Sequence, residues 1–260
     1  MRILAVGDIV GRPGRRAVAA FLPVLVRDYD CDLVIANAEN AAGGMGITAA
    51  VGQELLDLGI DLLTMGNHAW AKREAYEYLD SEPRVIRPAN YPEGAPGRGS
   101  TVVRSRSGVP VGVGNVGGRV FSVNDLECPF RRARDIAEEL RRSAKVTVID
   151  FHAEATSEKV ALGHYLDGRV SAVFGTHTHV PTADATVLPG GTAYVTDIGM
   201  TGPADSVIGV KKDIVIERFL TQLPSRFEVA SGPAILSGAV FDIDETTGRA
   251  RDIRLISMRE

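Results

Sequence analysis

Side chains that could bind a metal ion follow each of five short apolar runs in this 260-residue chain. After ILAV, LVIANA, LLTM, VTVIDF and VSAVF come Asp8; Glu39 and Asn40; Asn67 and His68; His152; and His177 and His179. Four of the five histidines belong to this set. This shared placement argues against the alternative that each of them has a separate structural role. Because ligands of α/β sheets bind beyond the carboxyl ends of strands, the pattern predicts one shared site.

The types of these side chains indicate which ions they would bind. Oxygen and imidazole ligands without thiolates suit manganese, iron or zinc. The eight candidates exceed what one ion can use, so two ions that share a carboxylate fit better. Glu39 could form this bridge, because a carboxylate can place one oxygen on each ion. We therefore expect two divalent or transition-metal ions as cofactors.

The stretch GDIVGRPGRR, residues 7–16, also allows an interpretation as a glycine-rich phosphate loop. A P-loop of this kind requires Lys-Ser or Lys-Thr after its glycines. The sequence has Gly14, Arg15 and Arg16 instead. Asp8 as a metal ligand is therefore the better interpretation of this stretch.

The alternation of apolar runs with helical patterns predicts an α/β protein of mixed type. Helices are expected after Thr48, from Pro129 and over residues 157–167, and a strand over 170–174. Antiparallel segments are expected over residues 101–118, 186–196 and 239–258. Two packed mixed sheets flanked by helices satisfy this order, and we expect a single domain over residues 1–260.

Composition excludes several classes of protein and partner. The chain is 45% hydrophobic and 24% charged with a net charge of -4, so a disordered chain and a stable nucleic-acid partner are not expected. Cys31 and Cys128 have no CxxC spacing. No apolar segment is long enough for a signal peptide or a membrane span, so we expect a cytoplasmic protein without a membrane partner. The sequence leaves the oligomeric state open, a homo-oligomer included.

The order of the motifs resembles that of the calcineurin-like metallophosphoesterases. The motifs stand here as Gly7-Asp8, Glu39-Asn40, Gly66-Asn67-His68, His152 and Gly175-Thr-His177-Thr-His179. The GNH and HxH motifs are the specific part of this resemblance. Two departures occur: Val10 stands where the superfamily usually has histidine, and Glu39 replaces the usual bridging aspartate. Together with NAENAAGGMGIT and YVTDIGMTGP, they resemble the YmdB-like bacterial branch of cyclic-nucleotide phosphodiesterases.

This resemblance implies a fold, a reaction and a set of ligands. The fold would be a four-layer αββα sandwich, and the reaction would be metal-dependent hydrolysis of 2',3'-cyclic and also 3',5'-cyclic nucleotides by a bridging hydroxide. One ion would be held by Asp8, Glu39, Asn40 and His179. The other would be held by Glu39, Asn67, His152 and His177. The first ion would lack one imidazole because of Val10, so its coordination and the identity of the metal stay open.

His68 is predicted to be the general acid that protonates the leaving alkoxide, because it follows Asn67 and is not needed as a ligand. Two other activities would suit the same ligands: a phosphomonoesterase and a protein phosphatase. A regulatory protein that binds metal or nucleotide without turnover is a further alternative. Asp197 is expected to be an exposed strand-end carboxylate in preference to a group that orients a ligand histidine. Trp70 is expected to pack against the protein in preference to stacking on a nucleobase.

Overall fold

The computed structural model describes residues 1–122 and 124–260. Helices in this part of the chain are α1 (Gly11–Asp28), α2 (Ala49–Asp57), α3 (Ala75–Ser81), α4 (Pro129–Leu140), α5 (Thr156–Leu166) and α6 (Lys212–Thr221). The strands are β1 (Arg2–Val6), β2 (Asp8–Ile9), β3 (Leu33–Asn37), β4 (Leu62–Thr64), β5 (Val85–Ile86), β6 (Ser100–Arg104), β7 (Pro110–Gly117), β8 (Val146–His152), β9 (Ala172–Thr176), β10 (Thr186–Val187), β11 (Ala193–Val195), β12 (Met200–Pro203), β13 (Ala234–Ile243) and β14 (Ala250–Arg259).

These strands form two mixed sheets. The first sheet has the order β2-β12-β13-β1-β3-β4-β5, with β14 paired to β13, and its strands β1, β3, β4 and β5 are parallel. The second sheet has the order β10-β11-β9-β8-β7-β6, and its strands β7, β8, β9 and β11 are parallel. Within each sheet, the carboxyl ends of the parallel strands therefore lie side by side.

Three buried apolar clusters separate the layers. Along β1, Ile3 and Ala5 pack between the two sheets in one cluster with Phe174 of β9. Leu4 and Val6, which point the other way because side chains alternate along a strand, belong to the cluster beneath α1 and α2. A third cluster joins α4 and α5 to the outer face of the second sheet. The layers run helices, sheet, sheet, helices, and the predicted αββα sandwich is confirmed.

Local structure agrees with most of the predicted elements. Thr48 caps α2, where its Oγ1 accepts a hydrogen bond from the main-chain nitrogen of Val51 at 3.2 Å. The three predicted antiparallel pairs are present. The strand predicted over residues 170–174 lies two residues later, because its pairing with β8 continues to Thr176, opposite His152. No helix among the described residues combines the length and apolarity that a bilayer span needs.

Candidate metal centre

The predicted site residues lie together beyond the ends of parallel strands from both sheets. The first sheet, through β2 and the segments after β3 and β4, supplies Asp8, Glu39, Asn40, Asn67 and His68. The second sheet, through the end of β8 and the segment after β9, supplies His152, His177 and His179. The site therefore lies where the two sheets meet.

A first group of side chains surrounds the Nε2 atom of His152. Asn67 Oδ1 and His177 Nδ1 each lie 3.1 Å from this nitrogen, and Glu39 Oε1 lies 3.3 Å from it. Ligand atoms of Glu39, His152 and His177 all lie within 4.8 Å of one another. One ion placed among these atoms could reach all of them. They are the side chains that the resemblance assigns to one of the two ions.

A second group lies beside the first, around His179 Nε2. This nitrogen is 3.9 Å from Asp8 Oδ1 and 3.2 Å from Asn40 Nδ2. The same Asn40 nitrogen donates to Glu39 Oε1 at 3.3 Å, so Glu39 contacts both groups. Asn40 Oδ1 accepts a hydrogen bond from His68 Nδ1 at 2.8 Å. A carbonyl oxygen has two lone pairs. If Asn40 Oδ1 binds an ion, it would use the lone pair that does not accept the hydrogen bond from His68.

The orientation of the His152 ring is set by a hydrogen-bonded chain behind it. Thr176 Oγ1 donates to Asp150 Oδ1 at 2.7 Å, so this hydroxyl oxygen accepts from His152 Nδ1, which lies 2.9 Å away. The proton of a neutral His152 is thereby held on Nδ1. Its Nε2 is left as the atom that can bind a cation, an arrangement typical of metal-binding histidines.

The rings of His177 and His179 are fixed in the same way by other partners. His177 Nε2 lies 3.1 Å from a carboxylate oxygen of Glu154, while its Nδ1 faces His152. His179 Nδ1 donates to the carbonyl oxygen of Ile208 at 2.9 Å, which leaves Nε2 toward Asp8. Each imidazole therefore directs one ring nitrogen into the site and binds an acceptor with the other.

The charges in the site favour a cation. Asp8 and Glu39 are 0% and 1% exposed, and burial raises the pKa of Asp8. Burial alone would lower the pKa of His152, but the neighbouring carboxylates, Glu39 first, raise it to about 9. Burial and the charge on His152 lower the pKa of His177 to about 3. A proton on His152 thus compensates part of the negative charge, and a divalent ion would compensate more of it.

Two further observations show that the residues fit a bound ion. Asp8 Oδ1 is buried and has no hydrogen-bond partner among the described residues, a costly state for a carboxylate oxygen. At Gly66, an added Cβ would lie 2.2 Å from His152 Nε2 and 2.3 Å from Glu39 Oε2. Only glycine therefore lets the chain after β4 pass this close to the ligand atoms.

His68 lies beside the two groups of candidate ligands, and one of its ring nitrogens is held in place by a hydrogen bond. Its main-chain nitrogen donates to Glu39 Oε2 at 3.0 Å, and its Nδ1 donates to Asn40 Oδ1. Its side chain is 29% exposed, in contrast to 2% for His152. Across the part of the chain that the structure describes, Nε2 of His68 has no protein partner and is the nitrogen that could serve a substrate.

Comparison with known proteins identifies the family. A family model described as a YmdB-like protein matches residues 4–256. The chain belongs to the YmdB-like family. A 2',3'-cyclic-nucleotide 2'-phosphodiesterase of Bacillus subtilis (strain 168) is 49% identical to this chain over 260 residues, which are 100% of this chain and 98% of that protein.

Two solved structures resemble this YmdB-like chain along its whole length. A hypothetical protein from Thermus thermophilus is 45% identical, with a TM-score of 0.93 and 100% of each chain covered. A protein described as a novel phosphatase, from Mycoplasma pneumoniae, is 33% identical, with a TM-score of 0.93, and the match covers 100% of this chain and 93% of that one. The predicted family resemblance is confirmed, together with the prediction of a phosphoester-hydrolysing enzyme.

In this YmdB-like chain, Val10 is the residue at which the motif resemblance leads us to expect a histidine. Its side chain is 4% exposed, and a Cβ added at Gly209 would lie 2.8 Å from Val10 Cγ1. Gly209 follows Ile208, whose carbonyl oxygen orients His179. Val10 therefore packs against the segment whose Ile208 carbonyl oxygen orients His179, one of the proposed ligands.

The prediction of an exposed Asp197 was wrong. Asp197 is 0% exposed, and its carboxylate accepts from Lys159 Nζ at 2.7 Å and from the main-chain nitrogen and Oγ1 of Thr178 at 3.2 and 2.7 Å. Thr178 lies between His177 and His179, whose φ angles of 95° and 66° are unusual for residues other than glycine. The ion pair therefore supports the strained segment that carries both of these proposed ligands.

We expect Lys159→Met to destabilise the protein strongly, because it leaves the Asp197 carboxylate buried without its counter-charge. Removing one partner of a buried ion pair costs about 3–5 kcal/mol, whereas an exposed pair contributes about 0–1 kcal/mol. Lys211→Met is the matched control, because Lys211 pairs with Glu228 at the surface. Thermal or urea unfolding of both metal-free variants checks this. Equal losses for the two variants would contradict the role of Lys159.

Several residues that orient the proposed ligands were not predicted from the sequence. Thr176 and Glu154 lie within two positions of His177 and His152 in the chain, but nothing in their types indicated that they would face an imidazole. Lys159 gave a detectable signal, because it shares the buried face of α5 with Leu162 and Leu166. A lone lysine on an apolar helix face indicates a buried partner.

Proposed function

We propose that this chain hydrolyses 2',3'-cyclic nucleotides, with 3',5'-cyclic nucleotides as a second substrate class, at a dinuclear metal centre. The observation that carries the proposal is the pair of side-chain groups that Glu39 joins, one around His152 Nε2 and one around His179 Nε2. The substrate class is supported by the Bacillus subtilis relative, whose name specifies 2',3'-cyclic nucleotides and whose identity extends over the complete chain.

Each of the two groups of side chains would hold one of the two ions, and Glu39 would belong to both groups. Asp8, Glu39, Asn40 and His179 would hold one ion, and Glu39, Asn67, His152 and His177 would hold the other. Iron and manganese suit these oxygen and imidazole ligands best, and zinc would also be accepted. When bound, two such ions supply the positive charge that binds the phosphoryl oxygens and acidifies the attacking water.

The chain's own residues would control protonation of the leaving group. In the proposed step, water attacks phosphorus and releases a proton to solvent, the bond between phosphorus and O2' breaks, and a nucleoside 3'-phosphate results. His68 would act from its doubly protonated form, with Nδ1–H on Asn40 Oδ1, would give its Nε2 proton to O2', and would regain a proton from solvent before the next turnover. Asn40 Oδ1 holds the opposite ring nitrogen of His68, and Glu39 holds its main-chain nitrogen, so the ring is oriented before substrate binds.

A phosphomonoesterase or a protein phosphatase is the second candidate. It is favoured by the Mycoplasma pneumoniae structure, which is described as a phosphatase and is 33% identical to this chain. The same ligands would serve either reaction, because they would contact the phosphoryl group and not the remainder of the substrate. Substrate preference therefore decides between the candidates.

We expect the purified protein to hydrolyse 2',3'-cyclic nucleotides faster than 3',5'-cyclic nucleotides, nucleoside monophosphates or phosphopeptides. Chelation should reduce turnover by on the order of 10²-fold or more, since bound ions contribute several kcal/mol to such reactions. The measurement is a substrate panel with iron, manganese and zinc, together with metal content in the same preparation. Faster hydrolysis of monoesters would favour the phosphatase. Metal binding without turnover on any ester would favour a regulatory protein.

A further inference from the structure

A cavity of about 200 Å³ opens directly beside the proposed metal ligands. One part of its wall is formed by Asn67, His152 and His177 of the ligand group. Another part comes from Tyr91, from Gly117 at the end of β7, and from the segment that follows this strand, with residues 118, 120–122 and 124. Complete sites for small molecules commonly measure about 300–1,000 Å³, so this cavity suits one ring system of a larger substrate.

Phe121, in this segment, is unusual in both exposure and backbone conformation. Its side chain is 82% exposed, the largest exposed fraction among the large hydrophobic residues described. Its φ of 62° is uncommon for a bulky residue other than glycine. An aromatic ring held in water at the rim of this cavity has unburied apolar surface, which a planar ligand could cover.

The main chain that carries Phe121 is fixed on the side facing α5. The Glu158 carboxylate is buried, and it accepts hydrogen bonds from the main-chain nitrogens of Arg119, at 3.0 and 3.1 Å, and Val120, at 3.2 Å. The Gly118 nitrogen donates to the carbonyl oxygen of His152 at 2.9 Å. These bonds tie the segment to the same strand end that carries a proposed ligand, so the main chain beside Phe121 is held at the cavity that His152 also lines.

Tyr91 provides a second aromatic surface in the cavity, and its position is also constrained. Its ring packs edge to face on Trp70 with 4.5 Å between centroids, and its hydroxyl accepts from Asn124 Nδ2 at 3.0 Å. Trp70 itself does not line the cavity, in agreement with the prediction that it packs against the protein. The aromatic surface available to a ligand therefore belongs to Tyr91 and Phe121.

We propose that this cavity binds the nucleobase of the substrate and that Phe121 stacks on it. The inference rests on the proposed function, because it identifies the part of a cyclic nucleotide that lies outside the metal ligands. Stacking on an aromatic ring accepts every base, since each has a π-face. The enzyme should therefore distinguish strongly between substrates with and without a base, and weakly between one base and another.

The test compares adenosine 2',3'-cyclic phosphate with 1-O-methylribose 2',3'-cyclic phosphate, in which a methoxy group replaces the base. Phe121→Ala should lower kcat/KM for the nucleotide about 5- to 150-fold, the range expected for loss of base stacking, and leave kcat/KM for the methyl riboside unchanged. Phe121→Tyr should retain most of the wild-type value. Phe219→Ala is the matched control, because Phe219 is 75% exposed and does not line the cavity.

The outcomes separate this inference from the proposed function. If Phe121→Ala lowers kcat/KM equally for both substrates, Phe121 supports the fold of the segment and base stacking is refuted. If wild-type protein hydrolyses both substrates equally and Phe121→Ala changes neither, the cavity does not bind the base, although the cyclic phosphodiesterase activity stands. If wild-type protein hydrolyses neither substrate with metal present, the proposed function and the inference both fail.

Discussion

Glu39→Gln is expected to lose its bound metal and its turnover together. The Glu39 carboxylate is 1% exposed and contacts side chains of both ligand groups, so the amide removes charge from both proposed ion sites at once. Burial by itself would raise the pKa of Glu39, but charge and hydrogen bonds from His152 and His68 lower it well below its ordinary value. The side chain is therefore an anion at neutral pH, as a bridging ligand must be.

We expect kcat/KM of Glu39→Gln to fall by at least about 10³-fold, which corresponds to about 4 kcal/mol of transition-state stabilisation. Metal analysis of the purified variant should give well under half the wild-type content. Glu54→Gln is the matched control, because Glu54 pairs with Arg15 at the surface, and this variant should keep both metal and activity. Full metal content in Glu39→Gln would show that Glu39 does not bridge two ions.

His68→Ala is expected to lower turnover strongly while leaving the bound metal nearly unchanged. The main-chain nitrogen that donates to Glu39 Oε2 is still present in alanine, so the proposed bridge keeps this hydrogen bond. The ring nitrogens are lost, and with them the proposed proton donor to the leaving oxygen. General acid catalysis contributes about 10²- to 10⁴-fold, and we expect kcat for a 2',3'-cyclic nucleotide to fall within this range.

The leaving group distinguishes a proton donor from a residue that only supports the site. A nitrophenolate leaves without protonation, so His68→Ala should reduce hydrolysis of bis(p-nitrophenyl) phosphate by less than about tenfold. The control is His164→Ala, because His164 is exposed on α5 outside the ligand group. An equal loss on both substrates would assign His68 a structural role, and a fully active variant would remove it from the mechanism.

Much of the fold and the composition of the candidate site follow from local signals in the sequence. Apolar runs of strand length, each followed by a polar side chain, predicted the positions of Glu39, Asn67 and His177 because a strand end is a local property. Their convergence followed from a general rule about parallel sheets, and the αββα layers followed from the resemblance. The roles assigned to these side chains stay predictions, as do a single domain, a homo-oligomer and a cytoplasmic location.

The partners of the residues that orient the proposed ligands could not be predicted, because they depend on packing between distant elements. Lys159 meets Asp197 only because α5 lies against the end of β11, 38 positions later in the chain. Ile208 contributes a carbonyl oxygen, a group that every residue has and that carries no sequence signal. Phe121 was overlooked because its exposure and its φ are properties of the folded chain.

The proposed metal ligands lie where the two sheets meet, so binding at this site is coupled to the alignment of the sheets. Apolar packing between the sheets is non-directional, so by itself it fixes their separation better than their alignment. The contacts of Glu39 with His152, and of Asp8 with the main chain of His177, cross that boundary with directional bonds. Any ligand that binds only the assembled group of side chains therefore stabilises the alignment of the two sheets by linkage.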